Sequence, residues 1–173
     1  GVVLCDVSAS MCSELASVGA VVRASGAALP VAPASVDGAV ATHSLYCLAD
    51  PDAGLRELRR VVRPGGWAAV ATNNADHLSA LEDVAGAPLS PLHLRFVGES
   101  AAERVAAAGF SEVEIHSFVD EFDVPDAEPV ARYIASMTGA AAVTDLVPRV
   151  QHAIEADNGA LRLRRSAVLV VAR

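Results

Sequence analysis

The sequence predicts an α/β fold built on a doubly wound, mostly parallel sheet, and three observations indicate it. Apolar runs at Val36–Thr42 and residues 67–72 flank a helical segment, and this strand, helix, strand order joins parallel strands. Another apolar run, residues 1–5, ends in Asp6, and open α/β sheets bind ligands at the carboxyl ends of their strands. The 173 residues, 53% of them hydrophobic, suit one domain with a substantial core.

The first part of the chain is predicted to be two short strands around a helix. Residues 1–5 form the first strand, and Ser8 or Ser10 can cap the helix that follows. Gly19 ends that helix, and residues 20–24 form the next strand. The chain therefore starts with a strand, helix, strand unit like the one that follows it.

A longer helix is predicted between the apolar runs at Val36–Thr42 and residues 67–72. Asp50 and Asp52 give it an acidic start, which the positive end of the helix dipole favours. Three apolar side chains share one face, namely Leu55, Leu58 and Val62. Residues 64–66, Pro-Gly-Gly, end the helix because proline cannot continue its hydrogen bonding and glycine tolerates a left-handed exit.

The second half is predicted to add helices, strands and a cap. Ser100 and Glu103 form a capping box for a helix that ends near Gly109. Further helices are expected over residues 125–137 and 144–158, and strands over residues 113–117 and 161–172. Within a single domain of residues 1–173, the segments 73–96 and 125–158 are expected to be cap or substrate-side insertions.

Charge and cysteine content exclude several classes of protein. The net charge of −8 would repel a phosphate backbone, so we do not expect nucleic acid as a partner. The three cysteines are odd in number and lack metal-ligand spacing, so we expect neither a disulfide framework nor a metal, and a reducing cytoplasm is favoured. No apolar run is long enough to span a bilayer, so we expect no membrane partner.

Four short motifs before residue 67 resemble, in order and spacing, successive motifs of the class I S-adenosylmethionine-dependent methyltransferases. They are Asp6-Val7-Ser8 followed by Met11, then Leu29-Pro30, Ser35-Val36-Asp37, and the segment 55–66 with Glu57, Arg60 and Arg63-Pro64-Gly65-Gly66. The resemblance is to the small-molecule branch, of the type 11 kind. It implies a Rossmann-like sheet with the strand order 3-2-1-4-5-7-6 and a small molecule as methyl acceptor.

The family's first motif, a strand, a glycine-rich turn and a helix, has no counterpart in this sequence. The resemblance begins at the family's second strand, so roughly 30 residues or more of a βαβ unit are absent. We therefore expect a sheet that lacks its first strand and helix and has two unpaired inner edges. We expect a fragment of a longer protein. The alternatives are direct pairing of the flanking strands or a strand from another chain, as in a homo-oligomer.

The resemblance also implies S-adenosylmethionine as cofactor and the residues that bind it. Asp6 would accept hydrogen bonds from both ribose hydroxyls, because a carboxylate has two acceptor oxygens. Ser25 stands where the family usually has an acidic residue for the adenine amino group, and the Gly26 amide would meet the adenine ring. The expected cofactor-binding residues are Asp6, Val7, Met11, Ser25, Gly26, Ala27, Leu29, Thr42, His43 and Ser44.

Methyl transfer from a sulfonium is a direct displacement, so alignment of the reacting atoms alone can be worth ~7 to 11 kcal/mol. An oxygen or nitrogen acceptor that carries a proton also needs a base, and His43 is the candidate because histidine titrates near neutral pH. The candidate walls of the acceptor site are Tyr46, His77, His93, Phe96 and Tyr133.

Other functions fit the sequence less well. A hydrolase would need a Gly-x-Ser-x-Gly elbow, and a dinucleotide dehydrogenase a Gly-x-Gly-x-x-Gly turn after a strand, and neither motif occurs. Two alternatives to small-molecule methylation stay open. One is a non-catalytic, degenerate methyltransferase that joins a partner through its open sheet edges, and the other is transfer to a protein or nucleic-acid acceptor, which the acidity of the chain disfavours.

Overall fold

The computed structural model describes residues 1–139 and 143–173. In chain order, its strands are β1 (Val3–Asp6), β2 (Ala20–Arg23), β3 (Val36–Thr42), β4 (Val62–Asn73), β5 (Glu114–Val124) and β6 (Leu161–Ala172). The helices are α1 (Ala9–Leu15), α2 (Pro51–Val61), α3 (Ala80–Ala85), α4 (Gly98–Ala107), α5 (Ala127–Thr138) and α6 (Val143–Ala156), with 3₁₀ turns at Leu45–Cys47 and His93–Arg95. Apart from α3, which was not predicted, the strands and helices follow in the predicted order, and β3 and β6 have the predicted bounds. Helix α2 ends at Val61 and β4 begins at Val62, so the expected helix end at residues 64–66 and the place of Val62 on the helix face are wrong.

The strands form two separate sheets. One contains β1 and β2 in parallel, and the other has the order β3-β4-β6-β5, with β3 and β4 parallel and β6 antiparallel to both neighbours. The predicted parallel crossovers are therefore confirmed. Within the described residues β1 does not pair with β3, so direct pairing of these flanking strands, one of the alternatives considered, is wrong for this chain.

The core lies mainly against one face of the four-stranded sheet. Helices α2 and α4 pack there against alternate residues of β4 and β6, including Val70, Val168 and Val170, and all three are buried. The opposite face is more open, since Val40 of β3 is 60% exposed and Trp67 of β4 is 43% exposed. The Trp67 ring lies over Gly38 of β3, where a Cβ would come within 2.3 Å of it.

A second apolar cluster joins α3, α5 and α6 to one end of the β5–β6 pair. Its sheet residues are Leu161 and Leu163 of β6, with Phe122 and Val124 of β5 beside them. Because β6 is antiparallel to β4, with Ala167 opposite Asn73, these residues lie beyond the carboxyl end of β4. The helices thus lie beyond the carboxyl end of β4, on the side of the sheet for which a cap was predicted. Residues 140–142 of the predicted cap lie outside the described residues.

Strand β5 is longer than predicted because arginines of β6 pair with its acidic residues. Cross-strand ion pairs join Arg162 to Asp123, Arg164 to Glu121 and Arg165 to Asp120. These charged residues obscure the apolar alternation that would identify a strand in the sequence. The strand therefore runs seven residues past the predicted end at Ser117, to Val124.

Two expectations for the segment around α4 are wrong. The helix begins at Gly98 with Val97 as its N-cap residue, so Ser100 lies inside the helix, where its hydroxyl donates to the Val97 carbonyl oxygen. Phe96, predicted to line the acceptor site, is fully buried in the core, with the Arg104 guanidinium 4.7 Å from the ring centroid. The sequence alone does not show whether an aromatic residue in a proline-rich segment is buried under the cap or lines a cavity.

Helix α2 also holds the segment that joins β2 to β3. The Arg60 guanidinium donates to the carbonyl oxygens of Leu29 and Val31 at 2.9 and 2.7 Å. Glu57 Oε2 accepts from the Leu29 N–H at 2.8 Å, and Glu57 Oε1 accepts from Arg60 Nε at 2.7 Å. We name these contacts the Glu57–Arg60 clamp. The contact of these side chains with the preceding segment is not apparent from the sequence.

The burial of Phe96 predicts a large loss of stability on truncation. Phe96→Ala should lower the free energy of unfolding by about 3–5 kcal/mol, because it removes a fully buried ring and leaves a cavity. Leu94→Ala, at a residue that is 56% exposed, should change it by no more than about 0.5 kcal/mol. Urea unfolding of the two variants would measure this. Equal effects would mean that Phe96 is not a core residue.

The Glu57–Arg60 clamp predicts a pH-dependent term in stability. The hydrogen bond from Arg60 lowers the pKa of Glu57, although burial opposes the shift. The stabilisation is therefore complete above the ordinary glutamate pKa of about 4.3 and is lost as the pH falls through the lowered pKa of the folded state. Glu57→Gln should cost about 1–2 kcal/mol at pH 7 and progressively less as the pH falls below about 4.3, measured by urea unfolding. The control is Glu103→Gln at an exposed position, and a pH-independent cost for Glu57→Gln would contradict the assignment.

Candidate functional site

An open cavity of about 720 Å³ lies at the carboxyl ends of β3 and β4. Three residues predicted for the site line it, namely His43, Tyr46 and His77. The remaining lining comes from Asn73 and from segments of β5 and β6, residues 117–120 and 165–167. Parallel strands of an open α/β sheet bind their ligands at this end, so the cavity is where the fold predicts a site.

His43 follows β3 directly and has an unusual backbone conformation. Its φ is +48°, in the left-handed region that costs a residue with a Cβ roughly 1–2 kcal/mol. The His43 N–H donates to the Ala71 carbonyl oxygen at 2.8 Å, which continues the pairing of β3 with β4. The imidazole is exposed and lines the cavity. A strained backbone at an exposed polar residue is typical of functional sites.

Thr42 and Ser44 flank His43 and are also exposed. Neither hydroxyl makes a hydrogen bond to any residue that the structure describes. Both remain available to a ligand at the end of β3.

His77 is held against β6 by the chain around it. The Ser166 N–H donates to His77 Nδ1 at 3.2 Å. Asn74 donates two hydrogen bonds to Ser166, from its backbone N–H to the carbonyl oxygen at 3.0 Å and from its side-chain amide to Oγ at 2.6 Å. The Leu78 N–H donates to the Arg164 carbonyl oxygen at 2.9 Å. Burial lowers the pKa of His77, and positive charge on His43 or His93 lowers it further.

Tyr46 and Tyr133 bring the 3₁₀ turn after β3 close to helix α5. Burial raises the pKa of Tyr46, with smaller contributions from Cys47 and Tyr133, so its phenol stays protonated at neutral pH. Tyr46 packs against the core and lines the cavity. Tyr133 is 41% exposed and does not line the cavity itself.

The predicted ribose carboxylate, Asp6, lies at the carboxyl end of β1 and is partly buried. Its Oδ1 accepts from the Ser8 N–H at 2.7 Å, and Ser8 caps α1 as predicted, accepting from the Met11 N–H at 3.4 Å. Among the residues described here, Asp6 Oδ2 has no hydrogen-bond partner. Val7 and Met11 are 60% and 41% exposed, so Met11 is not a core residue.

The segment predicted to meet the adenine forms a tight turn. Ser25 Oγ accepts from the Ala27 N–H at 3.2 Å, and the Ser25 carbonyl oxygen accepts from the Ala28 N–H at 3.0 Å. The Gly26 N–H makes no hydrogen bond within the described chain, so it is available to an adenine nitrogen. Leu29 ends the turn and is held by the Glu57–Arg60 clamp. These residues therefore fit the adenosine part of S-adenosylmethionine, although Ser25 supplies a neutral acceptor.

The structure brings together only part of the predicted acceptor site. His43, Tyr46 and His77 meet at the cavity, and His93 lies near His77 without lining it. Asn73 was missed, although its position at the end of a buried strand is a signal that could have indicated it. The lining residues of β5 and β6 had no such signal, because their place depends on long-range antiparallel pairing.

Two kinds of site or segment do not occur in the described residues. Across residues 1–139 and 143–173, no three histidine, cysteine, aspartate or glutamate side chains are grouped so that they could hold a metal ion. No helix in the same residues is both long enough and apolar enough to cross a membrane.

Comparison with known families and curated proteins gives one match. Residues 1–70 match the family model described as a methyltransferase domain. No curated protein matches the chain. The matched residues run from β1 into β4 and include every residue predicted to bind the cofactor.

Solved structures share the fold at low sequence identity. A proposed methyltransferase from Bacillus halodurans has a TM-score of 0.69 and 15% identity, covering 99% of this chain and 81% of that one. The YcgJ protein of Bacillus subtilis has a TM-score of 0.68 and 14% identity, with coverages of 98% and 80%. A SAM-dependent methyltransferase from Archaeoglobus fulgidus has a TM-score of 0.62 and 14% identity, with coverages of 99% and 75%. The first 70 residues thus match the methyltransferase-domain model, and the chain as a whole shares the fold of these solved structures.

Proposed function

We propose that the protein transfers a methyl group from S-adenosylmethionine to a small-molecule acceptor bound in the cavity beside His43. The observation that supports this most directly is the position of the cavity. It adjoins Thr42, His43 and Ser44, which the family resemblance assigns to the methionine part of the cofactor, and it continues toward β5 and β6. Its volume of about 720 Å³ suits a small molecule.

The adenosine part of the cofactor would be held by residues before β3. Asp6 Oδ2 would accept from the ribose hydroxyls, and the Gly26 N–H and Ser25 hydroxyl would meet the adenine. When bound, S-adenosylmethionine supplies a methyl group on a positively charged sulfur, which leaves as a neutral thioether. The protein's part in such a displacement is mainly to align the acceptor with that methyl group.

His43 is the proposed general base. Its imidazole is exposed to the cavity, and histidine changes charge near neutral pH, so it can take a proton from an acceptor hydroxyl or amine. The left-handed backbone at residue 43 supports this role, because a glycine or asparagine would adopt it at lower cost. The cap or substrate-side segments, residues 73–96 and 125–158, would cover the acceptor.

A non-catalytic interaction module is the second candidate, and the sheet edges favour it. Strand β3 is an edge strand of the four-stranded sheet, and β1 pairs only with β2 within the described part of the chain. Val3 and Val40 on these strands are 58% and 60% exposed. A strand from another chain, including a second copy, would pair with such edges.

The expected cytoplasmic location accords with the three free thiols.

Cofactor binding is tested by titrating S-adenosylhomocysteine into the protein in a calorimeter. We expect micromolar binding, and Asp6→Asn should weaken it about ten- to a hundredfold, because hydrogen bonds to a charged acceptor are replaced by weaker ones. Asp126→Asn, at the exposed start of α5, is the control and should bind like the unchanged protein. Folded protein that does not bind would favour the interaction module.

The role of His43 is tested with an asparagine in its place. Asparagine tolerates the left-handed backbone, so His43→Asn should remove the base without straining the chain. We expect turnover to fall about 10²- to 10⁴-fold while the affinity for S-adenosylhomocysteine is unchanged. The matched control is His152→Asn on α6, which should retain full activity. If His43→Asn turns over normally, His43 has no part in the mechanism.

A further inference from the structure

We infer that the cavity binds a phenol-like acceptor, an aromatic molecule with a hydroxyl group, and that the Nε2–H of His77 donates a hydrogen bond to the reacting oxygen. The inference rests on the proposed function, because it specifies the acceptor of that same site. Four observations support it: the hydrogen bond at His77 Nδ1, the partial burial of its ring, the apolar cavity wall, and the pairing of the cavity's arginine.

The hydrogen bond from Ser166 determines where the His77 ring carries its proton. A backbone N–H can donate to Nδ1 only if that nitrogen has a free lone pair. The neutral ring must then carry its single proton on Nε2. Ser166 cannot turn away, because its own carbonyl and hydroxyl oxygens are bound by Asn74. His77 therefore presents a donor, not a base, toward the cavity that it lines.

The surroundings of His77 keep the ring neutral. Burial lowers its pKa, and the nearby His43 and His93 would oppose a third positive charge. Asp76 favours the charged form more weakly, and its carboxylate is paired with Arg164 at 3.0 Å. The two histidines then have different roles, because His43 can accept a proton and His77 is held as a hydrogen-bond donor.

A fixed donor at the reacting atom favours oxygen over nitrogen. A hydroxyl oxygen has two lone pairs, so it can accept a hydrogen bond from His77 with one and attack the methyl carbon with the other. A neutral amine nitrogen has a single lone pair, which the attack itself requires. An amine in this position would give up its hydrogen bond from the half-buried His77 when it reacts, and a hydrogen bond left unmade costs free energy.

The wall of the cavity favours an aromatic, uncharged body for the acceptor. Phe118 and Val119 of β5 are 58% and 53% exposed and line the cavity, so a flat apolar ring would cover them. Arg165 is the cation of this lining, but it is paired with Asp120 and lies 4.8 Å from the centroid of the Phe122 ring. This pairing makes the Arg165 guanidinium less available to a carboxylate or phosphate.

The reaction balances with these groups. The acceptor oxygen forms a bond to the methyl carbon as the carbon–sulfur bond breaks, and the electron pair of that bond stays on sulfur. The hydroxyl proton passes to His43. The Nε2–H of His77 donates to the same oxygen throughout and is not transferred.

The test compares two probes that differ in one group, phenol and aniline, by ligand-observed NMR titration of the protein with and without S-adenosylhomocysteine. We expect phenol to bind about 3- to 10-fold tighter than aniline. His77→Phe, which keeps a flat ring but has no donor, should abolish the preference. His77→Gln, whose amide N–H can reach about the position of Nε2–H, should keep it. Equal binding of the probes, or a preference that survives in His77→Phe, would overturn the inference.

A second measurement does not depend on ligand affinity. Long-range proton–nitrogen NMR correlations should show His77 as the neutral Nε2–H form at pH 7, and a ring protonated on Nδ1 would also overturn the inference. Failure of the proposed function is distinguishable, because it would appear as absence of S-adenosylhomocysteine binding in the same samples. Loss of the phenol preference with cofactor binding intact would reject only the acceptor class.

Discussion

The arrangement of the molecule depends on the Glu57–Arg60 clamp between α2 and the segment before β3. The two sheets share no strand pair in the described residues, and this connection contributes to their relative position. Arg60 bonds two carbonyl oxygens of the segment, and the backbone continues the contact where the Ala34 N–H donates to the Arg60 carbonyl oxygen. The residues assigned to the adenosine lie on one side of the clamp and His43 on the other. A cofactor that spans both would depend on it.

The acceptor side is created by the direction of β6. Because β6 is antiparallel to β4, its first residues extend beyond the carboxyl end of β4 and carry the cluster of α3, α5 and α6 with them. The same reversal places Ser166 opposite the residues after β4, where it can hold His77. One strand direction thus supplies both the covering helices and the polar groups of the cavity. The buried Ser166 thus pairs with β5 and also contacts His77 at the site.

Sequence reasoning succeeded where local pattern determines structure. The bounds of β3 and β6, the Ser8 cap and the end-of-strand position of Asp6 follow from periodicity and capping rules. It failed where contacts between residues far apart in the sequence determine the structure. The extension of β5 depends on arginines of β6, about 40 residues away along the chain, and the burial of Phe96 depends on α4 packing over it. The left-handed backbone conformation of His43 could not be predicted from the sequence, although a functional role for this residue was predicted.

The chain contains a single tryptophan, and its position makes it a spectroscopic reporter. Trp67 lies on the open face of the sheet, 43% exposed, with its ring over Gly38 of the edge strand β3. A strand or helix that packs over this face of β3 at Gly38 would remove water from this indole. Its fluorescence would then move to shorter wavelength without an introduced label. The intrinsic emission of the protein thus distinguishes a covered β3 from an open one.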